Sequence, residues 1–186
     1  MPMVTIRDPL IWLQSMCRHH YTAKWINPDP SHCPDFTDPS RSFVTNVKYA
    51  DFSRRHDSIV HHYNDYYNEY IHESKIPFLL VRFEDLVFHP EETTKTVCEC
   101  AGGEMKRNGH FHYVVDSAKK GLAAHGKVRT GYVDALIKYS TIPKRYKGYD
   151  YEADLEYIRD SLDPELMDAM KYPWPDPKKA GISKGL

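Results

Sequence analysis

Two short apolar runs constrain this chain more than any other feature. Met3-Val4-Thr5-Ile6 is uncharged and largely β-branched, and Pro77-Phe78-Leu79-Leu80-Val81 is apolar throughout rather than alternating. Such runs read as strands buried in a parallel sheet, the second on both faces. Each run ends at an arginine, Arg7 or Arg82, and a polar turn follows it. After the first turn, Asp8-Pro9 marks a helix start, with a capping oxygen before a proline at the first helical position. The helical pattern runs from Leu10 to about Tyr21. After the second turn, Pro90-Glu91-Glu92 opens a helix that ends before Gly102-Gly103, its early acids matching the helix dipole. Strand and helix in alternation predict an α/β fold with a parallel sheet. Two apolar strands cannot cover the faces and edges of a sheet by themselves. Further strands are therefore expected, either from a larger fold of which this is a part or from a partner.

Between and beyond these units the sequence is less regular. Residues 27–42 hold four prolines and read as a loop of the length that often covers a ligand. Ile59, Tyr63, Tyr66, Tyr67 and Tyr70 follow helical spacing inside an expected helix over 53–74. They read as an aromatic core stripe rather than a base-stacking platform. His110–Val115 suggests a short strand and 116–131 a basic loop of small residues. A helix is expected over 132–139. Asp150 is expected to cap a further helix with Tyr151, Leu155, Ile158 and Leu162 on its apolar face, and Asp163-Pro164 to start another. Residues 1–172 thus read as a single, incomplete domain, and 173–186 as an extended tail.

Composition excludes several classes. The 25 basic and 26 acidic residues of the 186 leave a net charge of −1, which gives no support to nucleic-acid binding. No apolar run is long enough for a membrane span. The N-terminus lacks the regions of a signal peptide. Cys17, Cys33, Cys98 and Cys100 are too sparse for a disulfide scaffold, and the usage predicts reduced thiols. Cys17 and Cys33 can still pair in an oxidising compartment. The eleven histidines form no metal-ligating array, and no metal is expected.

Chemistry is expected at the carboxyl ends of the strands, where open α/β sheets bind ligands. Arg7 stands there, Ser15 follows eight residues later, and the helix between them begins with amide groups suited to an anion. A phosphate is the simplest ligand. The competing reading pairs Arg7 with Asp8 or Glu84 and leaves Ser15 an ordinary helix residue. Glu84 and Asp85 are read as holding Arg7, Arg82 and the loops rather than as catalytic acids, because two anions beside a phosphate repel it.

Val4-Thr5-Ile6-Arg7-Asp8-Pro9 with Ser15 resembles the 3′-phosphate-binding segment of PAPS-dependent sulfotransferases, PAPS being 3′-phosphoadenosine 5′-phosphosulfate. Pro77 through Arg82-Phe83-Glu84-Asp85-Leu86, followed by Pro90-Glu91-Glu92, resembles a second segment of the same family. The resemblance covers residues 3–103 and is loose over 104–172. It implies a partial P-loop-type three-layer fold, with few parallel strands flanked by helices and a helical C-terminal part. It implies PAPS as sulfuryl donor without a metal, and a small-molecule or carbohydrate acceptor bearing a hydroxyl or amine. Arg7 and Ser15 would grip the 3′-phosphate. Phe83 stands where the family has a tyrosine beside the nucleotide, and Lys127 and Arg129 would belong to a basic loop near the same phosphate. The family's phosphosulfate loop and catalytic base lie upstream of the Arg-Asp-Pro segment, so this chain is expected to be its carboxyl-terminal portion and, alone, to turn over little. The alternative is an inactive relative that binds an adenine nucleotide 3′-phosphate or completes its sheet with a partner. A nucleotide kinase of similar architecture gives no reason for the serine at Arg plus eight. Cytoplasm and Golgi lumen both remain open.

Overall fold

The computed structural model describes residues 1–25, 32–38, 40–105, 110–113 and 131–185. Its elements in chain order are β1 (Met3–Ile6), α1 (Pro9–Arg18), β2 (Ala23–Lys24), β3 (Thr45–Lys48), β4 (Ser53–His56), α2 (Ile59–Asn68), β5 (Leu79–Arg82), α3 (Phe83–Phe88), α4 (Pro90–Cys100), α5 (Tyr132–Tyr139), α6 (Ile142–Arg145), α7 (Glu152–Ser161) and α8 (Pro164–Met170). The class is mixed α/β, with a two-stranded parallel sheet and a separate three-stranded antiparallel sheet. None of the described helices is long and apolar enough to cross a membrane.

The chain divides into two compact units, residues 1–6 with 77–144 and residues 7–76 with 145–186. In the first, β1 and β5 pair in parallel, Met3 opposite Leu79 and Ile6 opposite Arg82. The two apolar runs are thus neighbouring strands that end in step. In β1 one face is covered, and β5 departs from the expectation of a strand enclosed on both faces. Val4 and Ile6 are buried while Met3 and Thr5 are exposed, the period-two alternation of a strand with one covered face. Of β5 only Val81 is fully buried. The helix α3 begins directly at Phe83, one residue after β5, so the Glu84-Asp85 stretch is helical rather than a turn. Its Asp85 lies 3.9 Å from the Arg82 guanidinium, in line with the holding role expected of it. The helix α4 starts at Pro90 and gives way to Gly102, whose φ of 79° is a left-handed conformation that glycine adopts at no steric cost. No strand forms over His110–Tyr113; Val114, Val115 and 116–130 lie outside the described residues.

The second unit holds the larger core. Leu10 and Leu13 of α1, Ile59, Val60, Tyr63 and Tyr67 of α2, Leu155 and Ile158 of α7, and Leu166, Met167 and Met170 of α8 are all buried. The aromatic stripe is therefore core at Tyr63 and Tyr67 and surface at Tyr66 and Tyr70. The expected helix over 53–74 is shorter at its start. Ser53–His56 is a strand paired antiparallel with β3, and α2 begins only after Ser58, whose hydroxyl accepts from Val60 N and His61 N. A π-helical turn, Glu69–Glu73, extends α2.

The C-terminal segments depart from expectation in two ways. Asp150 does not cap α7. Tyr151 occupies that position, and Asp150 pairs with Lys184 at 3.2 Å. The tail is not simply extended either. It makes 3₁₀ turns at Pro177–Lys179 and Ile182–Gly185, and Asp176 N donates to the Tyr146 hydroxyl at 3.1 Å.

Cys17 and Cys33 form a disulfide, which corrects the expectation of reduced thiols. Composition describes the average cysteine, whereas this pair is brought together by α1 and the loop that returns to it. Closing a loop of 16 residues removes denatured-state freedom worth about 3 kcal/mol. Reduced protein and the Cys17→Ser/Cys33→Ser variant are expected to share one urea midpoint, about 3 kcal/mol less stable than the oxidised chain. Equal stability of oxidised and reduced protein would contradict this pairing.

Asp163 supplies a second check. Its carboxylate caps α8 through Glu165 N and Leu166 N and accepts from Asn68 Nδ2 at 2.9 Å. Burial pushes this carboxyl up, but the bonds from Asn68 and the two amides outweigh it and hold it below the usual range. Its stabilisation is complete above about pH 4 and is lost as pH falls through the lower folded value. Asp163→Ala should cost about 1 kcal/mol at pH 7, and urea titration at pH 3 should show the difference from wild type shrinking.

Candidate functional site

The candidate site is built around the start of α1. The chain leaves β1 at Ile6, and Arg7 and Asp8 precede the helix. Asp8 is buried, and its Oδ1 accepts from Leu10 N at 3.0 Å and Ile11 N at 3.3 Å. Its Oδ2 accepts from Arg145 Nε at 2.7 Å. The helix N-terminus is therefore already served by the chain's own carboxylate. This corrects the expectation that its amides are open to an anion. An Asp at this position caps too well to leave them free.

Arg145 is held in turn. Its guanidinium donates to the Tyr146 hydroxyl at 2.8 Å and to Pro173 O at 2.6 Å, and its backbone oxygen accepts from Gln14 Nε2 at 2.7 Å. Two tyrosines fix the backbone nearby. Tyr63 donates to Arg7 O at 2.8 Å and Tyr149 donates to Leu10 O at 2.7 Å. Burial, with the Asp8 carboxylate close by, holds the Tyr149 phenol well above its ordinary value, so it stays a neutral donor. The start of α1 is thus gripped from Asp8, Arg145, Tyr63, Tyr149 and Gln14.

Arg7 and Ser15 both belong to this second unit and both are half-buried. Ser15 lies six residues beyond Pro9, about 9 Å along the helix axis at 1.5 Å per residue. It is seven residues after Asp8, two helical turns further along the same stripe. A ligand touching both residues has to lie alongside the first two turns of α1, not at the helix tip. Arg7, Asp8 and Arg145 together carry one net positive charge, since the Asp8–Arg145 pair cancels.

Phe83 is in the first unit, where it opens α3 half-buried with its ring edge-on to Tyr139 at 5.2 Å. Lys127 and Arg129 lie outside the described residues. The structure thus places Arg7 and Ser15 on one unit and Phe83 on the other. Sequence reasoning missed Arg145, which no local motif marks.

It also missed the fixing of the loop after the disulfide. His32 Nε2 lies 2.6 Å from Asp154 Oδ2, and Phe36 N donates to Asp154 Oδ1 at 2.7 Å. Asp154 is fully buried on α7, and burial raises its carboxyl despite the His32 and Phe36 bonds. Asp35 accepts from Thr37 and pairs with Arg41, contacts that outweigh its burial and lower its carboxyl. His32, Asp35 and Asp154 have potential ligand atoms within 4.8 Å of one another. The hydrogen bonds they make tie the loop to α7.

No protein-family model, curated protein or solved structure matches this chain.

Asp8→Ala leaves the half-buried Arg145 without its carboxylate and removes the cap, and should destabilise the protein by about 3 kcal/mol. Asp8→Asn keeps the capping oxygen and should cost clearly less. Urea unfolding of the two variants measures the difference, and equal losses would show that the capping oxygen contributes nothing.

Proposed function

We propose that this chain carries the nucleotide-binding part of a PAPS-dependent sulfotransferase, with Arg7 and Ser15 holding the 3′-phosphate of the donor. The observation that carries the reading is the parallel pairing of β1 with β5, Ile6 opposite Arg82. The two segments that resemble the family lie far apart in the chain, and they are adjacent strands ending in step, as two segments serving one nucleotide require. A partial P-loop-type fold is the finer form of that architecture and is part of the proposal.

The residues present suit a phosphate dianion. Asp8, the acid next to Arg7, is engaged by the Arg145 guanidinium at 2.7 Å. Arg7 supplies charged donors and Ser15 a hydroxyl donor. The bound donor supplies an activated sulfuryl group. In the transfer, the sulfur–oxygen bond to the phosphate breaks as a bond to the acceptor oxygen or nitrogen forms. The acceptor loses a proton, and 3′-phosphoadenosine 5′-phosphate leaves. The role of this chain's residues is to fix the nucleotide so that the transfer is in line, a contribution of positioning. No residue of the chain is assigned as the base that takes the acceptor's proton. The acceptor is a small molecule or carbohydrate. The Cys17–Cys33 disulfide favours an oxidising compartment such as the Golgi lumen over the cytoplasm.

Calorimetric titration with 3′-phosphoadenosine 5′-phosphate and with AMP tests the reading. Arg7→Ala removes a charge-assisted contact worth about 1.5–3 kcal/mol and should weaken the 3′-phosphorylated nucleotide roughly ten- to a hundredfold, with AMP nearly unaffected. Equal losses for both nucleotides would remove Arg7 from this role. A sulfuryl-transfer assay on the same protein should show little or no turnover, since no residue of the chain is assigned as the base, and robust turnover would overturn that expectation.

A further inference from the structure

Two buried imidazoles lie side by side in the second unit, and neither is assigned to the nucleotide. His56 ends β4 and is 3% exposed, and His62 stands on α2 at 7%. Their ring centroids are 4.7 Å apart with planes inclined at 44°. His56 Nδ1 lies 2.6 Å from Asp65 Oδ2. The other nitrogen of His56, Nε2, and Nδ1 of His62 are buried and have no hydrogen-bond partner in the protein. A polar atom taken out of water without a partner costs about 1–3 kcal/mol. Two such atoms on adjacent rings call for a shared explanation.

We propose that His56 Nε2 and His62 Nδ1 are ligands of one divalent transition-metal ion of the zinc class, with Asp65 as the carboxylate that orients His56 from behind.

Three features support the site. The first is ring spacing. With metal–nitrogen distances of about 2.0–2.1 Å, two imidazoles that share one ion at angles of roughly 90–110° have ring centres about 4.5–5.2 Å apart. The observed 4.7 Å falls inside that range. The second is the Asp65–His56 bond, the carboxylate–histidine arrangement that fixes which nitrogen faces a metal. The third is charge. Asp65 offers a negative charge against the ion, and the neighbouring cation Arg54 is already paired with Glu69. Two imidazoles leave coordination positions for further ligands, so the site is incomplete by the standard of a closed structural zinc site. The cluster of His32, Asp35 and Asp154 is the weaker candidate, because protein hydrogen bonds already engage those groups.

The test is titration of the whole chain with Zn²⁺ by calorimetry and with Co²⁺ by visible absorption. One ion per chain is expected. His56→Gln and His62→Gln should each weaken it at least tenfold, Asp65→Asn should weaken it about ten- to a hundredfold, and His32→Gln should leave it unchanged. Histidine-ring ¹H–¹⁵N spectra of the wild-type protein need no variant, and Zn²⁺ should shift the resonances of two imidazoles. Absence of stoichiometric binding at about 100 µM metal, binding that survives both His56→Gln and His62→Gln, or binding lost in His32→Gln would each overturn the proposal.

Discussion

The Asp8 carboxylate does two jobs with two oxygens, and the candidate site depends on both. One oxygen closes the first turn of α1, and the other receives Arg145 from the far end of the chain. Without the first, the helix carrying Ser15 frays at the end that follows β1. Without the second, a carboxylate next to Arg7 would weaken any anion bound there. The pair is half of a larger arrangement, since Arg145 also holds the Tyr146 hydroxyl and Pro173 O. Residues more than a hundred positions apart thus set the charge beside Arg7.

A second set of restraints holds the loop that follows β2. The disulfide ties Cys33 to α1, and the buried Asp154 ties His32 and Phe36 to α7. A covalent bond and hydrogen bonds to a buried carboxyl act on neighbouring residues of the loop, so it has little freedom at that point. Its length and prolines are those of a loop that covers a ligand. Its described part is fixed to α1 and α7, two helices of the same unit.

What was legible in the sequence follows from how local each signal is. β1 and α1 were readable because an apolar run, a capping acid and an early proline coincide within a dozen residues, and β5 and α4 from an apolar run and an early proline, whereas α3 between them carries neither signal. The hairpin of β3 and β4 was not. Its turn, Tyr49-Ala50-Asp51-Phe52, has no glycine or asparagine, and Arg54-Arg55 breaks the apolar pattern. The Asp8 cap was expected, but its ionic partner was not, because 137 residues separate the two and spacing carries no information at that distance. The pairing of His56 with His62 escaped for a related reason. His56 stands at the end of a strand that the apolar pattern does not mark. The Cys17–Cys33 bond was possible on the sequence but disfavoured by composition. Of the residues expected to contact the nucleotide, Arg7 directly precedes α1 and Ser15 lies two turns along it, and Phe83 belongs to the other unit.

The most direct measurement is ³¹P NMR of 3′-phosphoadenosine 5′-phosphate titrated with the protein, because its two phosphates have separate resonances. The account predicts that the 3′-phosphate signal shifts or broadens on binding and that Arg7→Ala removes this effect. A perturbation confined to the 5′-phosphate, or one that survives Arg7→Ala unchanged, would contradict it.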